Sequence, residues 1–186
     1  MKASDAIRRR RSIRKFTDRV ISRDEIEQLL EAAVLAPNHR MTQPWRFHVL
    51  GPEARRAYGT ALGDRKARKV EDAGAAQLVR EKVAGEHARL PAMIVVAVVQ
   101  DENPEIREED YASAMMAIQN LSLVATGLGL GTHIKSGAVM EDAAARAAAG
   151  IADDQRIVAV VNVGEPADVP EPKERAPASA HTVWLP

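Results

Sequence analysis

The chain has 186 residues, 26 of them basic and 26 acidic, and 46% are hydrophobic, which excludes a disordered, fibrous or membrane-embedded class. It has no cysteine, so a disulfide framework, a thiolate metal site and a cysteine nucleophile are excluded as well. With only two each of Trp, Tyr and Phe, the core has to be built from Val, Leu, Ile, Ala and Met, and the length suffices to bury one core in a single domain spanning residues 1–186.

The elements read as follows in chain order. A short helix is expected over residues 3–9, followed by the basic run Arg8-Arg9-Arg10-Arg11-Ser12-Ile13-Arg14-Lys15-Phe16. Ser22 with Glu25 reads as a capping box. Beyond it Ile26, Leu29, Leu30, Ala33 and Val34 recur at helical spacing, and Pro37 ends the helix. Residues 36–45, Ala-Pro-Asn-His-Arg-Met-Thr-Gln-Pro-Trp, form an irregular loop rich in polar groups, the setting in which binding groups tend to sit. A strand is expected from Trp45 to Leu50, and a helix from Gly51-Pro52 to about Leu62. Residues 64–88 are helix-prone but charged on most sides, and read as a mobile cover or an exposed pair of helices.

Met93 to Gln100 is a Val-rich strand buried on both faces. The acidic stretch 101–110 reads as a solvated loop. After it Tyr111, Ala114, Met115, Ile118, Leu121, Ser122, Ala125 and Leu128 trace one stripe of a long helix that stops at Gly127-Leu128-Gly129-Leu130-Gly131. A strand over Thr132 to Lys135, a helix from Glu141 to Ala149 and a second Val-rich strand from Arg156 to Val163 complete the pattern. Pro166, Pro170, Pro172, Pro177 and Pro186 rule out helix or central strand in the C-terminal tail, so residues 165–186 are expected to run extended along a surface, that of a partner subunit included. Strands mixed with helices, two of the strands doubly buried, predict a sheet sandwiched between helices.

Arg residues stand where a secretory signal would place its apolar stretch, and the run Met93 to Val99 is too short to span a bilayer. With the lack of cysteine, these features predict a cytoplasmic protein without a membrane partner. Charge is segregated: residues 1–15 hold seven basic groups against Asp5, and residues 101–110 hold six acidic groups against Arg107. Nucleic-acid binding needs a wider basic face with stacking aromatics, and the neutral total with few aromatics argues against it.

Guanidinium groups beside a serine hydroxyl suit capture of a phosphate. Lys135-Ser136-Gly137 repeats that chemistry at the end of a strand, and Lys173 and Arg175 add two cations in the tail. The five histidines show no metal-ligand spacing, so no metal is expected. The glycines at 127, 129 and 131 follow a helix and precede a strand, the reverse of a dinucleotide fingerprint. Several anion-binding elements with no nucleophile point to a phosphorylated cofactor that carries the chemistry itself.

Residues 10–16, Ile26-Glu27-Gln28-Leu29-Leu30-Glu31-Ala32-Ala33, the loop at 36–45, Lys135-Ser136-Gly137-Ala138 and Val163-Gly164-Glu165-Pro166 resemble, in order and spacing, the FMN-dependent nitroreductase family. The likeness is greatest to its compact members. The resemblance implies a three-layer α+β fold with a central, mainly antiparallel sheet, and an interlocked homodimer with FMN at the subunit interface. It implies NAD(P)H as co-substrate, a ping-pong hydride transfer through flavin N5, and a nitroaromatic, quinone or similar small molecule as acceptor. By the same resemblance Arg10, Arg11 and Ser12 hold the FMN phosphate and nearby ribityl chain, and Arg14 lies at the pyrimidine edge. His39 reaches the flavin from the other subunit. Ile134, Lys135 and Ser136 complete the pocket, with Lys135 near the phosphate, and Lys173 and Arg175 match a tail motif that contacts phosphate. Compact relatives can carry Trp where Ile134 stands. No residue is expected to be catalytic in its own right, and a flavin carrier or redox sensor without turnover stands as the alternative.

Overall fold

The computed structural model describes residues 1–186. Four strands form one antiparallel sheet in the order β1-β2-β4-β3: β1 Trp45–Val49, β2 Ala92–Val99, β3 Gly131–Lys135 and β4 Gln155–Gly164. The six helices are α1 Ala3–Arg9, α2 Arg23–Val34, α3 Pro52–Ala67, α4 Ala73–Ala88, α5 Pro104–Gly127 and α6 Ala143–Ala148.

The Val-rich segments become the two central strands because both of their faces are covered. On one face Ile94, Val96, Val98, Val161 and Val163 pack with Leu29 and Ala33 of α2 and with Ile118 and Leu121 of α5. On the other, Met93, Val95, Ile157 and Val160 pack with Tyr58 and Ala61 of α3 and with Ala145 of α6. A register shift between Val96 and Ala97 gives β4 one extra residue, so Val158 and Ala159 both enter the first core. The capping box at the start of α2 is present in both directions, with the Ser22 side chain accepting from the Glu25 N–H and Glu25 accepting from the Ser22 N–H.

Four readings from sequence change. Residues 64–88 are not a mobile cover but the end of α3 and all of α4, a helix pair that packs closely instead of standing exposed, with Val83, Ala84 and His87 buried. The contact is hidden in small residues. A Cβ at Gly59 would lie 2.7 Å from the His87 Cβ, and one at Gly63 3.0 Å from the Arg80 Cα, so charged helices approach backbone to backbone. Most of the acidic stretch is helix rather than loop, because Asn103 caps the Glu105 N–H at 2.9 Å and Pro104 occupies the first turn of α5. On α5, Met115 and Leu128 lie exposed, off the buried stripe. The predicted helix at 141–149 is α6 preceded by a 3-10 turn at Ala138–Glu141, with Asp142 capping α6.

Residues 10–16 lie along the outer edge of the sheet. Ser12 bridges Thr132 in parallel and Phe16 bridges Pro166, with the Ile13 N–H donating to the Thr132 carbonyl at 2.9 Å. Two glycines make room. A Cβ at Gly131 would stand 2.3 Å from Ile13 Cγ1, and one at Gly164 2.7 Å from the Phe16 ring. Gly131→Ala is therefore expected to destabilise the fold by about 1–3 kcal/mol through overpacking, measured as a lower urea midpoint with an unchanged slope.

Candidate functional site

The C-terminal end of α1 and the segment after it build one wall of a cleft of about 980 Å³ at the β3 edge of the sheet. Arg10, Arg11, Ser12, Arg14, Ile134 and the tail pair Lys173 and Arg175 all line it. Arg10 is the C-cap of α1, its N–H donating to the Ala6 carbonyl at 2.8 Å, which leaves its side chain free to enter the cleft. Arg11 is used differently: its Nη1 donates to the carbonyls of Arg8 at 2.6 Å and Arg10 at 3.0 Å. Its guanidinium closes the carbonyl end of α1, while its Nε is buried without a partner.

Asp168 and Glu171 share the cleft, yet none of these arginines or lysines forms an ion pair. The cleft is thus an uncompensated cationic concavity, suited to an anion carrying more than one negative charge.

A second cleft, of about 570 Å³, adjoins the first through Arg14 and His133, which line both. Its other walls are Phe16, the end of α4 with His87 and Arg89, and the side of β3 and β4 that carries Lys135 and Asn162. Strand alternation puts Lys135 beside His133 and opposite Ile134, so the structure brings Lys135 into the second cleft and not the first. Burial pushes its ammonium below the ordinary lysine value, and Lys66 adds to the effect. Burial also pushes His87 and His133 below the ordinary histidine value. Asn162 Oδ1 is buried without a partner. Ser136 is exposed just beyond β3, outside both clefts.

His39 is not part of either cleft. It lies in the turn His39–Met41 directly before β1, at the opposite edge of the sheet. Three strand spacings separate β1 from β3, about 14 Å, so His39 cannot reach the clefts of its own subunit. Instead its Nδ1 stands 2.9 Å from Glu109 Oε1, and Arg40 stands 3.5 Å from Glu109 and 3.8 Å from Glu105. The acidic stretch thus anchors the polar loop. Sequence reasoning missed this link, and it missed His87, Arg89, His133 and Asn162 in the second cleft. The available signal was polar residues at helical and strand spacing inside otherwise apolar stretches, Asp110 and Ser113 among them.

No helix is long and apolar enough to cross a membrane, and no group of three or more His, Asp or Glu side chains stands close enough to hold a metal ion. The nitroreductase family model matches residues 7–165. YfhC of Bacillus subtilis (strain 168), by its name a candidate NAD(P)H nitroreductase, is 36% identical over 178 residues, covering 93% of this chain and 89% of its own length. YdjA of Escherichia coli (strain K12), named in the same way, is 28% identical over 167 residues, 89% of each chain. Among solved structures, a nitroreductase-like family protein from Bacillus cereus superposes with a TM-score of 0.87 at 29% identity, over 100% of this chain and 96% of that one. A candidate nitroreductase from Desulfovibrio desulfuricans, solved in complex with FMN, gives 0.76 at 26% identity over 100% and 98%.

His87, which is buried, and His133, which is half-buried, predict a pH dependence. Their folded values lie below the unfolded value, so the unfolded chain binds more protons as pH falls. Their contribution is fully present above the unfolded histidine value of about 6.5 and is lost progressively below it. Urea denaturation should show stability falling between about pH 7 and pH 5.5, with a shallower fall in a His87→Gln, His133→Gln double variant.

Proposed function

Because the chain belongs to the nitroreductase family, we propose that it is an FMN-dependent NAD(P)H oxidoreductase whose cofactor lies along the two joined clefts. The observation that carries this reading is the junction itself. A cationic cleft without ion pairs opens through Arg14 and His133 into a second cleft walled by a β-strand face and by Asn162, whose Oδ1 has no partner. FMN has the matching form, with a phosphate of roughly −1.5 to −2 charge at one end and a flat ring bearing donors and acceptors at the other.

In this reading Arg10 and Ser12 hold the phosphate and the nearby ribityl chain, helped by the guanidinium edge that Arg11 keeps free of α1. Lys173 and Arg175 close on the same phosphate from the tail. Arg14, shared by both clefts, stands at the pyrimidine edge, where a cation favours the negative charge that gathers on reduction. Lys135 adds a second cation on the ring side, away from the phosphate. Ile134 and Ser136 border the ring, and the small aliphatic Ile134 leaves more room there than a Trp would.

Bound FMN would supply the redox chemistry, accepting hydride from NAD(P)H and passing it in ping-pong order to a nitroaromatic, quinone or similar acceptor. The chain's own groups bind, orient and set the local charge, so no residue of this chain needs to act as nucleophile or general acid–base. The cytoplasm is the expected setting.

The same reading makes the protein a homodimer. His39 stands at the wrong edge of its own sheet, so it serves the flavin of a second subunit. Residues 167–186 are exposed throughout, Trp184 at 89%. Val34, Leu35, Met115 and Met116 are also exposed on α2 and α5 and the residue after α2, and a second copy that covers them would receive the tail.

The purified protein should show a flavin absorbance spectrum and oxidise NADH or NADPH with nitroaromatic or quinone acceptors. A flavin-loaded protein that turns over neither nicotinamide with any such acceptor is a carrier or sensor instead. Arg10→Ala should weaken FMN binding by roughly 1.5–3 kcal/mol, the loss of a charge-assisted hydrogen bond. Unchanged affinity in the folded variant overturns the phosphate assignment.

A further inference from the structure

The loop between α2 and β1 holds three non-glycine residues in the left-handed region: Arg40 at φ 62°, Met41 at φ 53° and Gln43 at φ 45°. Such conformations are uncommon and strained, and persist only where the surroundings enforce them. The enforcing groups are side chains. The Gln43 N–H donates to Asn38 Oδ1 at 2.7 Å, and Asn38 Nδ2 donates to Thr42 Oγ1 at 3.0 Å and to Ser113 Oγ at 3.3 Å. Thr42 Oγ1 in turn donates to the carboxylate of Asp110. Asp110 and Ser113, 3% and 2% exposed, sit one turn apart on α5 and supply the rigid end of the network.

His39, Met41 and Gln43 are all exposed, and the bends turn them outward from the subunit instead of into its core. Helix α5 carries the apolar residues Met115 and Met116 to the same kind of exposed surface. We propose that Asn38, Thr42, Asp110 and Ser113 are positioning residues: their hydrogen-bond chain holds the loop pre-bent so that His39, Met41 and Gln43 meet the flavin cleft of a second copy without ordering on arrival. The inference rests on the proposed flavin reading. A preformed loop removes the ordering cost of binding, so the network sets how long flavin stays bound.

Thr42 is exposed at the surface, and Thr42→Val removes the hydroxyl that links Asn38 to Asp110 while keeping the side-chain shape. Two quantities are read on the full chain: hydrogen exchange at the Gln43 amide, which needs no flavin, and FMN release followed by fluorescence. Thr42→Val is expected to speed Gln43 exchange and FMN release each by roughly tenfold, with Thr42→Ser restoring both. Asp110→Asn, which keeps an acceptor but loses the charge, should fall between them. Faster exchange with unchanged FMN release overturns the positioning role, as does unchanged exchange or failure of Thr42→Ser to rescue. If the wild-type protein binds no FMN while Thr42→Val still loosens the loop, the flavin reading falls and the positioning role falls with it.

Discussion

The contact on which the rest of the molecule depends is the seating of residues 10–16 along the β3 edge of the sheet. Ile13 sits over Gly131 and Phe16 over Gly164, each in a space that a single Cβ would fill. The bridge from Ser12 to Thr132 and the bond from the Ile13 N–H fix the register. Once that register is set, alternation along an extended segment decides the rest. Ile13 goes inward, Ser12 and Arg14 are left outward, and Arg14 becomes the wall common to both clefts. An edge strand that would otherwise be open to pairing with another chain is covered by the same contact.

Charge is neutral in total but divided across the sheet. At the β3 edge, cations stand without carboxylate partners. At the β1 edge, the acidic start of α5 takes His39, Arg40 and, through Thr42, the polar loop. Exposed ion pairs of this kind contribute little stability, so their effect is orientation. Repulsion among the unpaired cations works against the fold and is relieved by any anion that enters the cleft. The same arrangement therefore costs stability without ligand and favours binding with it.

The two most unusual segments of the chain, the basic run and the proline-bounded loop, end at opposite edges of one subunit. On the proposed reading they meet across a two-fold axis, one subunit's loop facing the other's cleft. That arrangement explains why a strained loop is braced so heavily from α5, and why the tail beyond the cleft stays exposed on its own chain.

Much of this was legible in the sequence. The capping box, the doubly buried Val-rich strands and the short α1 follow from local chemistry and periodicity, because each depends on neighbours within a few residues. The pairing of α3 with α4 was not legible, since it runs through Gly59 and Gly63 beneath charged side chains and leaves no apolar stripe. Nor was the fate of Lys135: the run Ile134-Lys135-Ser136 reads as one anion-binding unit, and only the strand's pleat separates Ile134 from Lys135. The link from the loop to Asp110 and Ser113 spans about seventy residues, a distance at which side-chain type carries no information about contact. What the residues determine alone is which groups are available and which segments are regular. Tertiary structure decides which of them share a cleft, because that depends on strand order and on where a glycine lets one backbone approach another.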